Sequence, residues 1–267
     1  CAWHLSARQA RPLGTRNSHA RPGLIRACIV SVPCFPLGKG VATLGDDMYC
    51  RTWIRMLVSN SYDRQIGEAA RILATGGVVA FPTDTVYGLG ADIHNAAAVD
   101  RVYSIKGRPK GNPLPVLISD ISHLQDVVDQ PEPFALHLAS LCWPGGLTLV
   151  LPTNLALPGA LIQDGLVGVR VPDDPICIRL IERFAGPITG TSANRTGSPP
   201  AINARQVRKQ LGASVDYVLD AGESQQATPS TVVRLCGDEV AILREGVIPS
   251  DAIMRTWNEY KSGGSGA

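Results

Sequence analysis

Residues 78–90, with the sequence VVAFPTDTVYGLG, begin as an apolar run and continue into a polar and glycine-rich segment. The run Val78–Phe81 is typical of a buried strand, because it is short, uncharged and rich in β-branched and aromatic residues. Thr83, Asp84 and Thr85 follow it directly. Ligands of α/β proteins bind beyond the ends of strands. The segment therefore indicates either a ligand site or a polar loop with a glycine-rich turn.

Helix and strand patterns alternate along the rest of the chain. Apolar residues recur at helical spacing in stretches near residues 63–75, 99–103, 177–184 and 204–211. Strand-like runs lie at 114–118, 147–151, 167–171, 187–190, 217–219, 231–235 and 240–243. Asp63 and Asn203 are candidate N-caps of the first and last helices. The alternation predicts an α/β domain with one twisted mixed sheet and flanking helices.

Composition divides the chain into three parts. Residues 1–60 carry eight Lys or Arg against two acidic residues, whereas residues 61–267 carry 17 against 21. Because residues 1–45 contain arginine and serine but no acid, we interpret 1–60 as a disordered or targeting leader. We predict a catalytic domain over 61–255 and, because the chain ends in glycine and serine, a flexible tail over 256–267.

Several classes of protein are excluded or disfavoured by composition. With 45% apolar and 18% charged residues, the chain can form a packed core. No apolar run approaches the about 18 residues that span a membrane. The seven cysteines form no Cys-x-x-Cys pair, which argues against a zinc ribbon or a disulfide framework. The excess of four acidic residues over 61–267 argues against general binding to nucleic-acid backbones.

Further polar clusters stand at predicted element ends. KGRPKGNP, residues 106–113, places three cations within five residues, either as phosphate ligands or as cations that complement a helix dipole. Arg170 lies in an apolar run, so a half-buried guanidinium there needs an anion, which is Asp173, Asp174 or a ligand carboxylate. TSANRTG, residues 191–197, supplies small hydrogen-bonding side chains after another predicted strand.

Seven segments follow one another along the chain: PTDTVYGLG (82–90), KGRPKGNPL (106–114), WPGGLTLVL (143–151), VGVRVPD (167–173), TSANRTG (191–197), PSTVV (229–233) and ILREG (242–246). Taken in this order, they resemble the YrdC-like L-threonylcarbamoyladenylate synthases of the single-domain type. Three positions depart from the family pattern. Leu117 stands where many relatives have histidine, Gly146 replaces a proline, and Arg234 replaces an aspartate.

The resemblance implies a nucleotidyltransferase that converts L-threonine, bicarbonate and ATP, with Mg²⁺, into threonylcarbamoyl-AMP and pyrophosphate. It implies contacts to L-threonine at Thr85, Arg170, Gly190 and Ser230. It implies contacts to ATP at Lys106, Arg108, Asn112, Leu166, Ser192, Asn194, Pro200 and Arg244, with Lys106 and Arg108 also catalytic. No protein ligand to a metal is expected.

Partners and location follow from the same resemblance. It implies a downstream threonylcarbamoyl transferase complex and tRNAs that read ANN codons, and a cytoplasmic place of action, with the mitochondrion as a further site. Two other functions stay open at this point. One is a YrdC-like protein that binds double-stranded RNA without synthase activity, and the other is a carbamoyl-adenylate enzyme of the hydrogenase-maturation type.

Overall fold

The computed structural model describes residues 62–224, 228–237 and 239–263. The predicted leader over 1–60 lies outside these residues, as do positions 264–267 of the predicted tail. The helices within these ranges are α1 Asp63–Ala74, α2 Ala96–Lys106, α3 Pro133–Cys142, α4 Pro175–Phe184, α5 Ala204–Leu211 and α6 Ser250–Gly263. The first strands are β1 Val79–Phe81, β2 Gly88–Gly90, β3 Val116–Leu117, β4 Leu147–Pro152, β5 Ile162–Gln163 and β6 Leu166–Arg170. The remaining strands are β7 Ile188–Thr189, β8 Thr191–Ser192, β9 Tyr217–Val218, β10 Thr231–Cys236 and β11 Glu239–Arg244.

The strands form two sheets, with the orders β8-β2-β1-β9 and β11-β10-β4-β6-β3-β7, and β5 pairs with β6 in the second. Both sheets are mixed, because β1 pairs antiparallel with β2 but parallel with β9, and β4 pairs parallel with β10 but antiparallel with β6. The α/β prediction is confirmed, and the prediction of one sheet is wrong. Gly190 alone separates β7 from β8, which belong to different sheets.

The strand in the opening segment, β1, is buried on both faces. Val79 and Phe81 pack into a cluster with α1 and α4, while Ala80 faces the larger core on the other side. Burying such apolar side chains stabilises the fold by about 1.5–3 kcal/mol for each large one. The Phe81 ring lies over Gly88 and Gly90 of β2, where an added Cβ would come within 2.7 Å of ring atoms. The glycines therefore permit β2 to pair beside this aromatic side chain.

The predicted helix caps have opposite outcomes. The prediction for Asn203 is confirmed, because its side chain accepts a hydrogen bond from the Gln206 N–H at 3.0 Å. The prediction for Asp63 is wrong, because Asp63 is the first residue inside α1 and the cap position is Tyr62, which makes no side-chain cap bond. The Asp63 carboxylate lies 3.5 Å from Arg179 of α4 instead.

Two helices, α3 and α6, were not predicted. Residues 256–263, which the sequence assigns to a flexible tail, continue the helix α6 that begins at Ser250. Trp257 and Tyr260 pack on Phe134 of α3, with ring centroids 4.6 and 5.0 Å apart from it. This tertiary contact explains the order beyond residue 255, since the glycine- and serine-rich composition starts only at Ser262. Among the described residues, no helix is long and apolar enough to cross a membrane.

Candidate active site

A cavity of about 250 Å³ lies where the segment after β1 meets the ends of β6 and β11 and the starts of β4 and β10. Of the predicted site residues, the structure brings Thr85, Arg108, Arg170, Gly190, Ser192, Pro200, Ser230 and Arg244 to its wall. Thr83, Leu117 and Thr148 also line it. Residues from seven separate segments of the chain therefore converge on one small space.

Leu166 and Asn112 are not brought to this wall. Leu166 begins β6 and pairs with Pro152, and Arg170 ends the same strand. An extended strand of this length separates the two residues by about 13 Å, and Leu166 is not among the residues that line the cavity. The Asn112 carbonyl accepts hydrogen bonds from Arg108 Nε and from the Tyr103 hydroxyl, both at 2.9 Å. Asn112 thus contributes its backbone to holding Arg108.

Lys106 lies behind the wall, where its side chain is buried. Its Nζ donates to the Ser192 carbonyl, to the Asn194 carbonyl at 2.9 Å and to Asn194 Oδ1 at 3.3 Å. Burial, and then the charge of Arg108, lower the pKa of Lys106 to about 7. An ammonium group has three donors, and all three are used here. Lys106 therefore holds residues 192–194, and a direct phosphate contact requires its Nζ to leave these acceptors.

Asn194 completes this arrangement on the loop side. Its Nδ2 donates to the carbonyls of Arg195 at 3.0 Å and Ser198 at 2.6 Å, while its Oδ1 accepts from Lys106. The Asn194 side chain is buried among these partners. Its position indicates that it shapes the loop that presents Ser192, rather than standing free at the cavity.

Arg170 makes the most constrained contacts of the site. Its Nε donates to the Gly145 carbonyl at 2.8 Å, its Nη1 to Thr85 Oγ1 at 3.0 Å, and its Nη2 to Asp84 Oδ1 at 2.6 Å. The side chains of Arg170 and Asp84 are 8% and 3% exposed, so the ion pair is buried. The prediction that Asp173 or Asp174 supplies the internal anion is wrong. The segment after β1 reaches the end of β6 and brings Asp84 there instead.

Ser230 and Arg244 form a second group on the wall, together with Thr148. The Ser230 hydroxyl lies 2.9 Å from Thr148 Oγ1 and accepts from Arg244 Nη2 at 3.0 Å. Arg244 also donates to the Ser230 carbonyl at 2.8 and 3.1 Å. Sequence reasoning missed Thr148. The available signal was one hydroxyl residue inside the otherwise apolar run LTLVL of β4.

The charges in the cavity differ in their partners. Arg108 donates to the carbonyls of Asn112 and Pro113, and Arg244 to that of Ser230. No ion pair between described residues includes Arg108 or Arg244. Burial is the main cause that lowers the pKa of both guanidinium groups, and for Arg244 the charges of Arg170 and Arg108 add to it. Arg108 and Arg244 are therefore two cations of the cavity without an acidic partner among the described residues, and they lie beside Arg170, which Asp84 neutralises.

Asp174, next to this site, caps α4 through its carboxylate, which accepts from the N–H groups of Ile176 at 3.0 Å and Cys177 at 2.9 Å. Burial outweighs these bonds and raises the pKa of Asp174 to about 6, and Asp84 adds to the effect. A raised carboxyl pKa in the folded state gives stability that is present at low pH and is lost as the pH rises through about 6.

Asp174→Asn keeps a good cap without a charge. We expect it to raise the free energy of unfolding by about 1–2 kcal/mol at pH 7.

Urea unfolding at several pH values measures this difference. It should shrink toward pH 4, where the Asp174 carboxyl is protonated in the folded protein. Asp120 offers a matched control, since it caps the 3-10 helix Ile121–Asp126 and hydrogen bonds from Ser122 lower its pKa. Asp120→Asn should lower the stability at pH 7. A stability gain for Asp174→Asn that does not depend on pH would contradict the assignment.

Comparison with known proteins identifies the family. The profile of the Sua5–YciO–YrdC family, described as telomere recombination, matches residues 71–246. The chain belongs to this family. The threonylcarbamoyl-AMP synthase of Bacillus subtilis is 40% identical over 193 residues, which are 72% of this chain and 56% of that protein. The threonylcarbamoyl-AMP synthase of Pyrococcus abyssi is 37% identical over 199 residues, which are 74% and 58% of the two chains.

A solved structure of the family agrees in fold. The crystal structure of P. abyssi Sua5 complexed with L-threonine is similar with a TM-score of 0.69 at 36% identity, over 72% of this chain and 56% of that one. The chain therefore spans a little over half the length of these relatives. All the wall residues of the cavity from Thr83 to Arg244 fall inside the range that the family profile matches.

Proposed function

We propose that this protein is an L-threonylcarbamoyladenylate synthase, which joins L-threonine, bicarbonate and ATP into threonylcarbamoyl-AMP and releases pyrophosphate. The observation that carries the proposal is the pairing of two kinds of arginine in one cavity. Arg170 presents a hydrogen-bonded guanidinium that Asp84 neutralises, whereas Arg108 and Arg244 form no ion pair with any described residue. A carboxylate suits the first and a triphosphate suits the second. The names of the relatives in B. subtilis and P. abyssi support the same activity.

The proposed reaction needs positioning and charge neutralisation more than covalent help from the protein. The amine of L-threonine adds to the carbon of bicarbonate, and water leaves to give a carbamate. A carbamate oxygen then attacks the α-phosphorus of ATP, the bond to the bridging oxygen breaks, and pyrophosphate departs. Negative charge concentrates on the phosphates during this step, so fixed cations at that end of the cavity stabilise the transition state.

In this proposal Arg170 binds the carboxylate of L-threonine, with the hydroxyls of Thr85 and Ser230 beside it. Gly190 can contact L-threonine only through its carbonyl oxygen, because its N–H already donates to the Pro115 carbonyl at 2.8 Å. Arg108 and Arg244 bind the triphosphate, with Ser192 and Pro200 along the same wall.

Mg²⁺ enters with the nucleotide in this proposal, because a triphosphate carries more negative charge than Arg108 and Arg244 together neutralise. When bound, it supplies further positive charge to the leaving pyrophosphate. Lys106 and Asn194 act on the same step by holding the loop that presents Ser192.

The product of this reaction is a mixed anhydride, which is consumed by transfer of its acyl group to an amine. We propose that the acceptor is an adenosine amine of tRNA and that a transferase complex catalyses the transfer, as the resemblance implies. Binding of double-stranded RNA as the main function is disfavoured by the position of the cations. Arg108, Arg170 and Arg244 line a cavity of about 250 Å³, which a duplex backbone cannot enter.

Pyrophosphate release by the purified full chain with Mg-ATP tests the proposal. Release should require both L-threonine and bicarbonate. Arg244→Gln should raise the KM for ATP by about tenfold or more, because it removes one charged donor from the phosphate end. Arg234→Gln is the matched control, since Arg234 lies on the neighbouring strand β10 and pairs with the exposed Glu239 at 2.7 Å.

Other outcomes separate the remaining functions. Release that needs carbamoyl phosphate in place of L-threonine and bicarbonate would indicate the carbamoyl-adenylate enzyme. Tight binding of an RNA duplex without any release would indicate the RNA-binding protein. Either result would overturn the proposal.

A further inference from the structure

Asp84 holds the Arg170 guanidinium in one orientation. Its Oδ1 accepts from Arg170 Nη2 at 2.6 Å and from the backbone N–H of Asp173 at 3.1 Å. Asp84 is 2% exposed, and it stands behind the wall that Arg170 and Thr85 form. The carboxylate is thus fixed by the backbone just beyond β6, and it fixes the arginine in turn.

The contacts of Arg170 leave it a limited number of donors. A guanidinium has five N–H groups, and the Gly145 carbonyl, Thr85 and Asp84 use three of them. Two donors remain, which is the number that one carboxylate accepts in a paired hydrogen bond. Arg170 is therefore equipped for a single planar anion.

The charge of Asp84 decides which anion is favoured. A ligand oxygen that accepts from the second N–H of Arg170 Nη2 lies about 5 Å from Asp84 Oδ1, because both oxygens bind the same nitrogen. At this separation repulsion from Asp84 offsets much of the attraction to Arg170, and both scale with the charge of the ligand. A monocarboxylate still gains its two hydrogen bonds. A triphosphate gains most of its affinity from attraction to positive charge. Arg108 and Arg244 supply that charge, whereas the Asp84–Arg170 pair has no net charge.

We propose that Asp84 is a specificity-determining residue that reserves Arg170 for the carboxylate substrate and excludes the triphosphate from that end of the cavity. The inference rests on the proposed function, which places the carboxylate of L-threonine and the triphosphate of ATP in this one cavity. Asp84 acts through Arg170, so it is a positioning residue and does not itself touch the substrate. The consequence is that the two substrates bind side by side instead of competing.

Calorimetric titration of the full chain with inorganic triphosphate and with L-threonine tests the inference without any turnover. In the unchanged protein, saturating L-threonine should alter the Kd for triphosphate less than about twofold. In Asp84→Asn, which keeps an acceptor oxygen but removes the charge, triphosphate should bind tighter by on the order of tenfold or more. L-Threonine should then compete with it. Asp220→Asn is the control, because Asp220 pairs with Arg208 at 3.1 Å on the exposed surface.

The outcomes are distinguishable from failure of the proposed function. If the unchanged protein does not bind L-threonine, the function is wrong, and the triphosphate affinities of Asp84→Asn and Asp220→Asn still decide the role of the Asp84 charge. Equal affinities in these two variants would overturn the inference. If Asp84→Asn does not fold in a thermal melt, competition between L-threonine and triphosphate in the unchanged protein would overturn it as well.

Discussion

Replacement of Arg170 by lysine should raise the KM for L-threonine by on the order of tenfold or more and leave the Kd for ATP almost unchanged. The guanidinium donates from three nitrogens to three fixed partners, and its remaining N–H groups are the donors for a carboxylate. Lysine keeps the positive charge but has one nitrogen, so it cannot hold Asp84 and bind a ligand through two parallel hydrogen bonds. Titration of pyrophosphate release with L-threonine measures the first quantity. Binding of ATP without L-threonine measures the second.

Thermal melts of the same variants separate binding from folding. Arg170→Lys retains a counter-charge for Asp84, so we expect a moderate loss of stability. Arg170→Gln leaves a buried carboxylate without a counter-charge and should cost about 3–5 kcal/mol. A normal response to L-threonine in Arg170→Lys, together with a clear loss of stability, would show that the Asp84–Arg170 pair serves the fold alone.

Local patterns were enough for much of the fold. α1, α4 and α5 have apolar residues at helical spacing, and β4 and β6 are short apolar runs with little charge, so each was predicted near its observed bounds. α3 was missed because its residues, PFALHLASLC, are apolar at most positions and show no clear helical period. The pairing of strands into two sheets depends on contacts far apart in the chain, which periodicity does not encode.

The site shows the same division between local and long-range information. The resemblance named the three arginines, Thr85 and the two serines that line the cavity, and their functional roles stay predictions. It did not give their partners. Asp84 and Arg170 are 86 positions apart, Thr148 and Ser230 are 82 apart, and Lys106 and Asn194 are 88 apart. These residues come into contact only because the strands between them pair in the observed registers. No local pattern could therefore assign Asp84 to Arg170 or Lys106 to the loop at Ser192.

Substitution of Gly190 by alanine should reduce turnover by on the order of a hundredfold and lower stability by about 1–3 kcal/mol. Gly190 and Leu117 face each other on the cavity wall. A Cβ at Gly190 would lie 2.7 Å from both Cδ atoms of Leu117, and the hydrogen bond from Gly190 N–H to the Pro115 carbonyl keeps the backbone from retreating. The Leu117 side chain must therefore move, and the open space beside it is the substrate cavity. Steady-state rates and urea unfolding measure the two effects.

Shortening the Leu117 side chain should relieve this clash, so a second substitution at Leu117 tests the explanation given for Gly190→Ala. In a double-mutant cycle, Gly190→Ala combined with Leu117→Ala should be more active than the sum of the two single effects predicts, because the truncated side chain leaves room for the new methyl group. Gly159→Ala is the control, since an added Cβ there meets nothing within 4 Å, and it should leave turnover unchanged. Strict additivity of the Gly190 and Leu117 substitutions would mean that the lost activity comes from a backbone change at the β7–β8 junction. In that case the Leu117 side chain would not define the wall against which the substrate is placed.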